Sequence, residues 1–323
     1  MSDWTTKKIL ITGGTGSFGK AFLQYALEVL KPNAIRIFSR DELKQYEMRK
    51  QFNHPSIRYF IGDIRDGERV ARALAGVDYV IHAAAMKHVE AAEYNPFEAV
   101  QTNIIGTQNI ISSAIDCGVE KVIALSSDKA VNPVNLYGAT KLCQERIVTQ
   151  SNSYVGKKST RFACVRYGNV VGSRGSVVPL YREQMKSGEV TITDERMTRF
   201  WITLPQAVRF VHKALETMQG GEIFVPKLPS MKITDLAKAM APECKIKIVG
   251  IRPGEKLHEV MITEDEARHT LDIGERYVVK PEFQFFPHGH YSGKELPDGF
   301  RYASNNNDQW LTPDQLREMI PPA

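Results

Sequence analysis

Lys8-Ile-Leu-Ile-Thr12 runs straight into Gly13-Gly14-Thr15-Gly16-Ser17-Phe18-Gly19. The first five residues read as a short buried strand, and a helical pattern follows the turn from about Ser17 to Leu30. Glycines at 13, 16 and 19 allow a tight turn, a close backbone approach and close packing of helix on strand. The first N–H groups of a helix have no partner within it, so its N-terminus suits a pyrophosphate. A glycine cluster elsewhere would mean little. Here a strand precedes it and a helix follows, so the stretch predicts a dinucleotide site at Gly13, Thr15, Gly16, Ser17, Phe18 and Gly19.

The alternation continues outward. Ala34–Ser39, Ile57–Ile61, Val77–Ile81, Lys121–Ser126 and Phe162–Arg166 are further apolar runs separated by helical patterns. Such β-α alternation predicts an α/β fold, a Rossmann-like doubly wound parallel sheet covered by helices on both faces. Ligands of such sheets bind beyond the carboxyl ends of the strands. After about Gly168 the pattern loosens and Gly, Pro and Arg become frequent. The expected division is a dinucleotide-binding domain over 1–168, with 201–225 returning to it. A smaller mixed α/β substrate lobe is expected over 169–200 and 226–323. Residues 281–309 are rich in Pro, Gly, His and Asn and read as surface.

Bulk properties narrow the class. The 323 residues are 42% hydrophobic and 24% charged, as in a soluble globular protein. The net charge of +5 is spread out, with 18 basic against 16 acidic residues up to residue 150 and 24 against 21 after it. No basic arm points to nucleic acid. Cys117, Cys143, Cys164 and Cys244 form no CxxC pair and suit a reducing compartment. With no signal-peptide core and no apolar run near the ~18 residues of a membrane helix, the sequence reads as cytoplasmic, with no membrane partner. The eight histidines show no metal-ligand spacing, His288-Gly-His290 included, so no metal is expected.

Details after the second to fourth strands refine the cofactor. Ser39 and Arg40 end the second strand and Lys44 lies one helical turn beyond, which favours the extra phosphate of NADP over the bare ribose of NAD. Arg40-Asp41-Glu42 also reads as a solvated helix start capped by Asp41. Asp63 and Ile64 follow the third strand, where they can bond and cover an adenine. Ala83 and Ala84 follow the fourth and leave room for a flat cofactor, though small residues also suit helix packing.

A Tyr and a Lys four apart share one helix face, where the phenol can take a proton from a sugar hydroxyl while a nicotinamide takes the hydride. Three pairs fit: Tyr46/Lys50, Tyr137/Lys141 and Tyr154/Lys158. Only Tyr137/Lys141 begins a helix soon after the fifth strand, near the expected nicotinamide. Ser127 can bond the same hydroxyl, and Lys141 is expected to lower the Tyr pKa. Asn103 is expected mid-helix, holding backbone or water near that Lys or capping a bend.

The glycine turn and Tyr137/Lys141 resemble the extended short-chain dehydrogenase/reductase superfamily. Five longer segments are more specific: Phe38–Lys44, Ser127–Pro133, Arg166–Pro179, Met197–Ile202 and Ile251–Val260. Together they resemble the inverting UDP-N-acetylglucosamine 4,6-dehydratases that open pseudaminic acid biosynthesis, from about residue 7 to Trp310. The resemblance implies an internal redox cycle on a UDP-sugar with NADP. Tyr137 would take the 4-hydroxyl proton, Lys129 the proton on carbon 5, and Asp128 would protonate the departing 6-hydroxyl. Hydride removed at carbon 4 returns at carbon 6, and carbon 5 is reprotonated on the opposite face.

Those tasks require a raised Asp128 pKa and a depressed Lys129 pKa, the latter expected from Lys141 and a cationic nicotinamide. Without the resemblance, Asp128-Lys129 also reads as an exposed ion pair. Retaining relatives carry Asp-Glu here, so Lys129 carries the expectation of inversion. The family often has Thr at 127; Ser keeps the hydroxyl. Arg252 is expected on phosphate and Glu255 on ribose, with Asn169, Arg199 and Lys87 as further substrate contacts. A homo-oligomer is implied, a hexamer among its forms, with residues 89–117 as a contact surface. A UDP-sugar 4-epimerase uses the same Tyr and Lys but needs no Asp128-Lys129, and a non-catalytic NADP-binding regulator commonly lacks the Tyr/Lys pair.

Overall fold

The computed structural model describes residues 3–173, 176–283, 285–287 and 289–320. Arg174 and Gly175 of the Arg166–Pro179 segment, and His288, lie outside them. In chain order the strands are β1 Lys8–Thr12, β2 Ala34–Ser39, β3 Ile57–Ile61, β4 Tyr79–His82, β5 Lys121–Leu125 and β6 Arg161–Val165. They continue as β7 Asn169–Val170, β8 Glu189–Ile192, β9 Thr198–Ile202, β10 Ile223–Pro226, β11 Ser230–Lys232 and β12 Lys245–Ile248. The last are β13 Val260–Ile262, β14 Thr270–Asp272, β15 Arg276–Val279, β16 Lys294–Glu295 and β17 Tyr302–Ala303.

One ten-stranded sheet has the order β16-β14-β15-β10-β6-β5-β4-β1-β2-β3. From β10 to β3 all neighbours are parallel. Ile9, Ile11, Ile35, Ile37, Val80, Ile81 and Ile123 are wholly buried, because helices cover both faces. The chain winds outward from β1 to β3, then crosses back to place β4 on the other side of β1. That reversal opens a crevice at the carboxyl ends of β1 and β4.

The remainder is more mixed. β10 lies beside β6, and the helix Leu204–Thr217 before it packs on the helix Ser17–Tyr25. β14, β15 and β16 add an antiparallel edge, drawn from the chain that sequence assigns to the smaller lobe. Sequence reading located strands only in the parallel core and expected a mixed lobe beyond it, since strands of two to four residues carry too little periodicity. β7, β9 and β11 form a small sheet beside the β8–β12 pair, over a second core containing Val178, Tyr181, Trp201 and Leu236.

Two expected helices depart from α geometry. The helix after the glycine turn is α-helical over Ser17–Tyr25 and π-wound over Ala26–Leu30. The turn Gln101–Ile105 is also π-wound. There Asn103 accepts from Met86 N at 2.8 Å and donates to Met86 O at 2.9 Å and Thr140 Oγ1 at 2.9 Å. Its amide therefore ties the loop after β4 to the helix that carries Tyr137.

Arg166, at the end of β6, is wholly buried. Its guanidinium donates to both oxygens of Glu145 at 2.9 and 2.6 Å, both of Glu266 at 3.0 and 2.8 Å, and Met261 O at 2.6 Å. All five N–H groups are occupied by partners from two distant segments. Breaking a buried pair strands the remaining charge, at about 3–5 kcal/mol. Glu145→Ala is therefore expected to lower the Tm strongly in thermal unfolding, and adding Arg166→Met should recover part of the loss.

Candidate active site

The glycine turn sits at the end of β1, facing the crevice. Gly13 has φ +63°, and a Cβ there would come 2.9 Å from Ala84 Cα. A Cβ on Gly19 would meet Gly14 O at 2.4 Å, so helix and turn touch backbone to backbone. Gly16 begins the helix with no side-chain cap, leaving its first N–H groups to a ligand. Ala83 N and Ala84 N both bond Thr12 Oγ1 at 3.1 Å, which fixes the loop after β4 against the turn. This side-chain-free cradle fits the pyrophosphate of a dinucleotide.

At the end of β2, Ser39 is buried and its Oγ accepts from Gln45 Nε2 at 3.0 Å. Arg40 is 60% exposed, 3.6 Å from Asp63. Asp41 caps the next helix by accepting from Lys44 N at 2.9 Å, and it pairs with Lys44 Nζ. Asp63 itself accepts from Arg65 Nε at 2.9 Å and Nη2 at 2.7 Å. Ile64 is buried, and a Cβ on Gly106 would meet it at 2.6 Å.

The three Tyr-Lys pairs separate by burial. Tyr46 is 56% exposed with Lys50 Nζ 4.3 Å above its ring, and Tyr154 is 77% exposed. Tyr137 and Lys141 are 8% and 3% exposed, on the helix Leu136–Gln150 that packs against β6. Asn135 caps that helix by accepting from Gly138 N at 2.7 Å, and its Nδ2 donates to Gly254 O at 2.7 Å. A Cβ on Gly138 would meet Lys129 O at 2.3 Å. The Tyr137 helix thus lies directly against the turn Asp128–Ala130.

In that turn Asp128 is wholly buried and Lys129 partly so, with its side chain 28% exposed. Lys129 Nζ donates to Asp128 Oδ1 at 3.0 Å and to Asn169 Oδ1 at 3.4 Å. Glu259 Oε1 lies 3.4 Å from the same nitrogen. Ser127 Oγ donates to Asp128 Oδ1 at 2.8 Å and accepts from Lys129 N at 3.2 Å. Glu259 is also 3.5 Å from Lys256 Nζ and 3.8 Å from Arg199 Nε. Two carboxylates and three cations share one largely buried pocket.

Burial raises the Asp128 pKa against the pull of Lys129, the direction that an acid requires. Lys129 differs from expectation. Burial pulls its amine down, but Asp128 and Glu259 outweigh that and hold it above its ordinary value. Tyr137 differs too: burial raises its phenol, and the opposing charge is Lys129. The reason is placement, since Lys141 Nζ donates to Leu125 O at 2.6 Å and to Gln144 Oε1. Burial lowers Lys141 to about 8 and also lowers Lys87, which feels the charge of Lys129.

The remaining expected substrate contacts lie around this pocket. Arg199 is buried and donates to Thr198 O, Leu257 O and Lys256 O at 2.7, 3.1 and 3.0 Å, so three carbonyls hold its guanidinium. Arg252 is exposed in the loop before β13, and Glu255 Oε2 is buried there without a hydrogen-bond partner. Sequence reasoning passed over Glu259, Lys256, Asn135 and Gly138. For Glu259 a signal existed: a lone acid opening the apolar run Val260–Ile262 is a charge about to be buried. Among the described residues no cluster suited to a metal ion occurs and no helix is long and apolar enough to cross a membrane. All four cysteines are free.

Residues 9–281 match the family described as polysaccharide biosynthesis protein. The chain is 54% identical, over 97% of both chains, to the UDP-N-acetylglucosamine 4,6-dehydratase (inverting) of Campylobacter jejuni subsp. jejuni serotype O:2. It is 39% identical to the UDP-glucose 4-epimerase of Rickettsia canadensis, over 97% of this chain and 95% of that one. The solved structure of Pen from Bacillus thuringiensis superposes with a TM-score of 0.91 at 41% identity, covering 98% of this chain and 97% of that one. With its sheet, glycine turn and Tyr137/Lys141 helix, the chain belongs to the polysaccharide biosynthesis protein family and, within the extended short-chain dehydrogenase/reductase superfamily, to the inverting UDP-N-acetylglucosamine 4,6-dehydratases.

Proposed function

We propose that this enzyme removes water from UDP-N-acetylglucosamine to give a UDP-4-keto-6-deoxy-L-arabino-hexulose, inverted at carbon 5, with NADP as cofactor, as the first step of pseudaminic acid biosynthesis. The observation that carries the reading is the Asp128–Lys129 pair, hydrogen bonded at 3.0 Å beside Tyr137, its acid wholly buried and its amine partly so. A 4-epimerase has no use for an acid and a base at carbons 5 and 6.

Gly13, Thr15, Gly16, Ser17, Phe18 and Gly19 would hold the pyrophosphate, Asp63, Ile64, Ala83 and Ala84 the adenosine side, and Ser39, Arg40 and Lys44 the extra phosphate. Tyr137 and Lys141 would hold the nicotinamide end. What the dinucleotide supplies when bound is a reversible hydride acceptor. Tyr137 takes the proton of the 4-hydroxyl, with Ser127 beside it. The 4-keto group acidifies the proton on carbon 5, which passes to the Lys129 amine while Asp128 gives its proton to the departing 6-oxygen, releasing water.

The raised Lys129 pKa fits this sequence once protons are counted. Neutral Asp128 with neutral Lys129 holds as many protons as carboxylate with ammonium. One proton crossing the 3.0 Å hydrogen bond converts the ion pair into the reactive form. Elimination leaves carboxylate and ammonium again, and the same transfer resets the pair. Lys87, Asn169, Arg199, Arg252 and Glu255 are proposed around the UDP-sugar, Arg199 through the backbone it orders. A cytoplasmic homo-oligomer, with the contact across 89–117, completes the proposal. Tyr94 and Phe97, 87% and 81% exposed, support that surface.

Incubation with UDP-N-acetylglucosamine in heavy water is expected to yield a 4-keto-6-deoxy product, deuterated and inverted at carbon 5. A product retaining its 6-hydroxyl would instead mark an epimerase, and retained configuration a retaining dehydratase. Lys129→Ala should abolish elimination yet leave dinucleotide affinity unchanged; normal turnover would remove Lys129 from the chemistry.

Lys141 yields a stability prediction. Its amine titrates at about 8 in the fold against an ordinary 10.5. Below pH 8 folding therefore bears the cost of a buried charge, and that cost fades as pH rises from 8 to 10.5. Lys141→Met should stabilise the protein by about 1–3 kcal/mol at pH 7. In thermal unfolding the gain should shrink towards pH 10.

A further inference from the structure

Glu259 lies just before β13, far in sequence from Asp128-Lys129, and its side chain is 3% exposed. Its main chain is held independently of its carboxylate: Glu259 N bonds Ser304 Oγ at 2.9 Å, and Ser304 N bonds Glu259 O at 2.8 Å. The side chain makes no contribution to those bonds. It faces Lys129 at 3.4 Å, Lys256 at 3.5 Å and Arg199 at 3.8 Å, while its Oε2 has no hydrogen-bond partner. An acid buried to this degree without serving its own strand serves what it faces.

Lys129 explains the need. Its amine ends a flexible four-carbon stem, and an ammonium has three N–H donors to place. Asp128 Oδ1, Asn169 Oδ1 and Glu259 Oε1 surround the nitrogen at 3.0, 3.4 and 3.4 Å. On release of one proton, Asn169 and Glu259 can keep the two remaining N–H groups. The lone pair then takes the third direction.

We propose that Glu259 is a positioning residue of the acid–base pair, which pins the Lys129 amine and supplies the negative charge that keeps the shared proton within the Asp128–Lys129 pair. The claim rests on the function proposed above. Six titratable groups face the pair or Glu259: Lys129 and Asp128 in the turn, Tyr137 on its helix, Lys87 after β4, Arg199 on β9 and Lys256 before β13. Four of the six are cations, and among the described residues named here Glu259 and Asp128 are the carboxylates that face them.

The sign follows directly. Removing a nearby negative charge lowers the pKa of every group facing it. Glu259→Gln is therefore expected to move both limbs of the pH–rate profile to lower pH by at least about one unit. A merely structural role would lower the rate at every pH and leave both limbs in place. Glu259→Asp should keep the wild-type limbs.

A second readout needs no turnover. In cofactor-loaded protein carrying 13C-carboxyl aspartate, the Asp128 signal is assigned by its loss in Asp128→Asn. Its titration midpoint is expected to fall by at least about one unit in Glu259→Gln. It should rise in Lys256→Met, which tests the same charge balance if Glu259→Gln does not fold. An unchanged or reversed midpoint overturns the proposal even where wild-type enzyme makes the expected product. A shifted midpoint with no product from wild type overturns the proposed reaction instead.

Discussion

The close approach of Gly138 to the carbonyl of Lys129 governs the site. It brings the start of the Leu136–Gln150 helix against the turn after β5, where any side chain would meet that oxygen at 2.3 Å. Tyr137 is one residue from the contact and the acid–base pair is on its far side. Asn135 fixes the approach from both directions, capping the helix and holding Gly254. Lys256 adds a bond to Val131 O at 2.6 Å. The distance between phenol and pair is thus set by backbone packing, which resists thermal motion better than side-chain contacts do.

Around that contact the protein concentrates charge where a fold alone would place none. Lys141, Asp128, Glu259 and Arg199 are each less than 9% exposed. Buried ions are costly unless each finds counter-charge and hydrogen bonds. Arg166 shows the satisfied form, with every N–H bonded. The pocket around Lys129 shows the unsatisfied form, in which Asp128 Oδ2 and Glu259 Oε2 lack partners.

The parallel core was legible because its strands are continuous apolar runs bounded by glycine turns, and a single turn, Thr12 to Gly19, set its hand and its ligand edge. The antiparallel edge was not legible, because β14 and β16 are too short to impose a period. Of three pairs with the same spacing, Tyr137/Lys141 is the buried one. Electrostatics were less legible. The sequence reading assigned the key perturbation to Lys141, four residues from Tyr137, and the structure turns that ammonium towards Leu125. The charges beside Lys129 come instead from its neighbour Asp128 and from Glu259, 130 positions later along the chain. Local spacing reports what shares a helix face; it is silent on what a distant segment brings to it.

The pairing of Lys129 with Glu259 has an evolutionary corollary. The sequence resemblance implies a glutamate after the aspartate in relatives that keep the configuration at carbon 5. A single exchange of that kind here would crowd three carboxyl groups into one largely buried pocket, with one cation fewer to balance them. Under the proposed mechanism, an exchange at position 129 alone therefore carries an electrostatic cost. That cost is relieved where position 259, or its neighbours Lys256 and Arg199, changes in step with position 129.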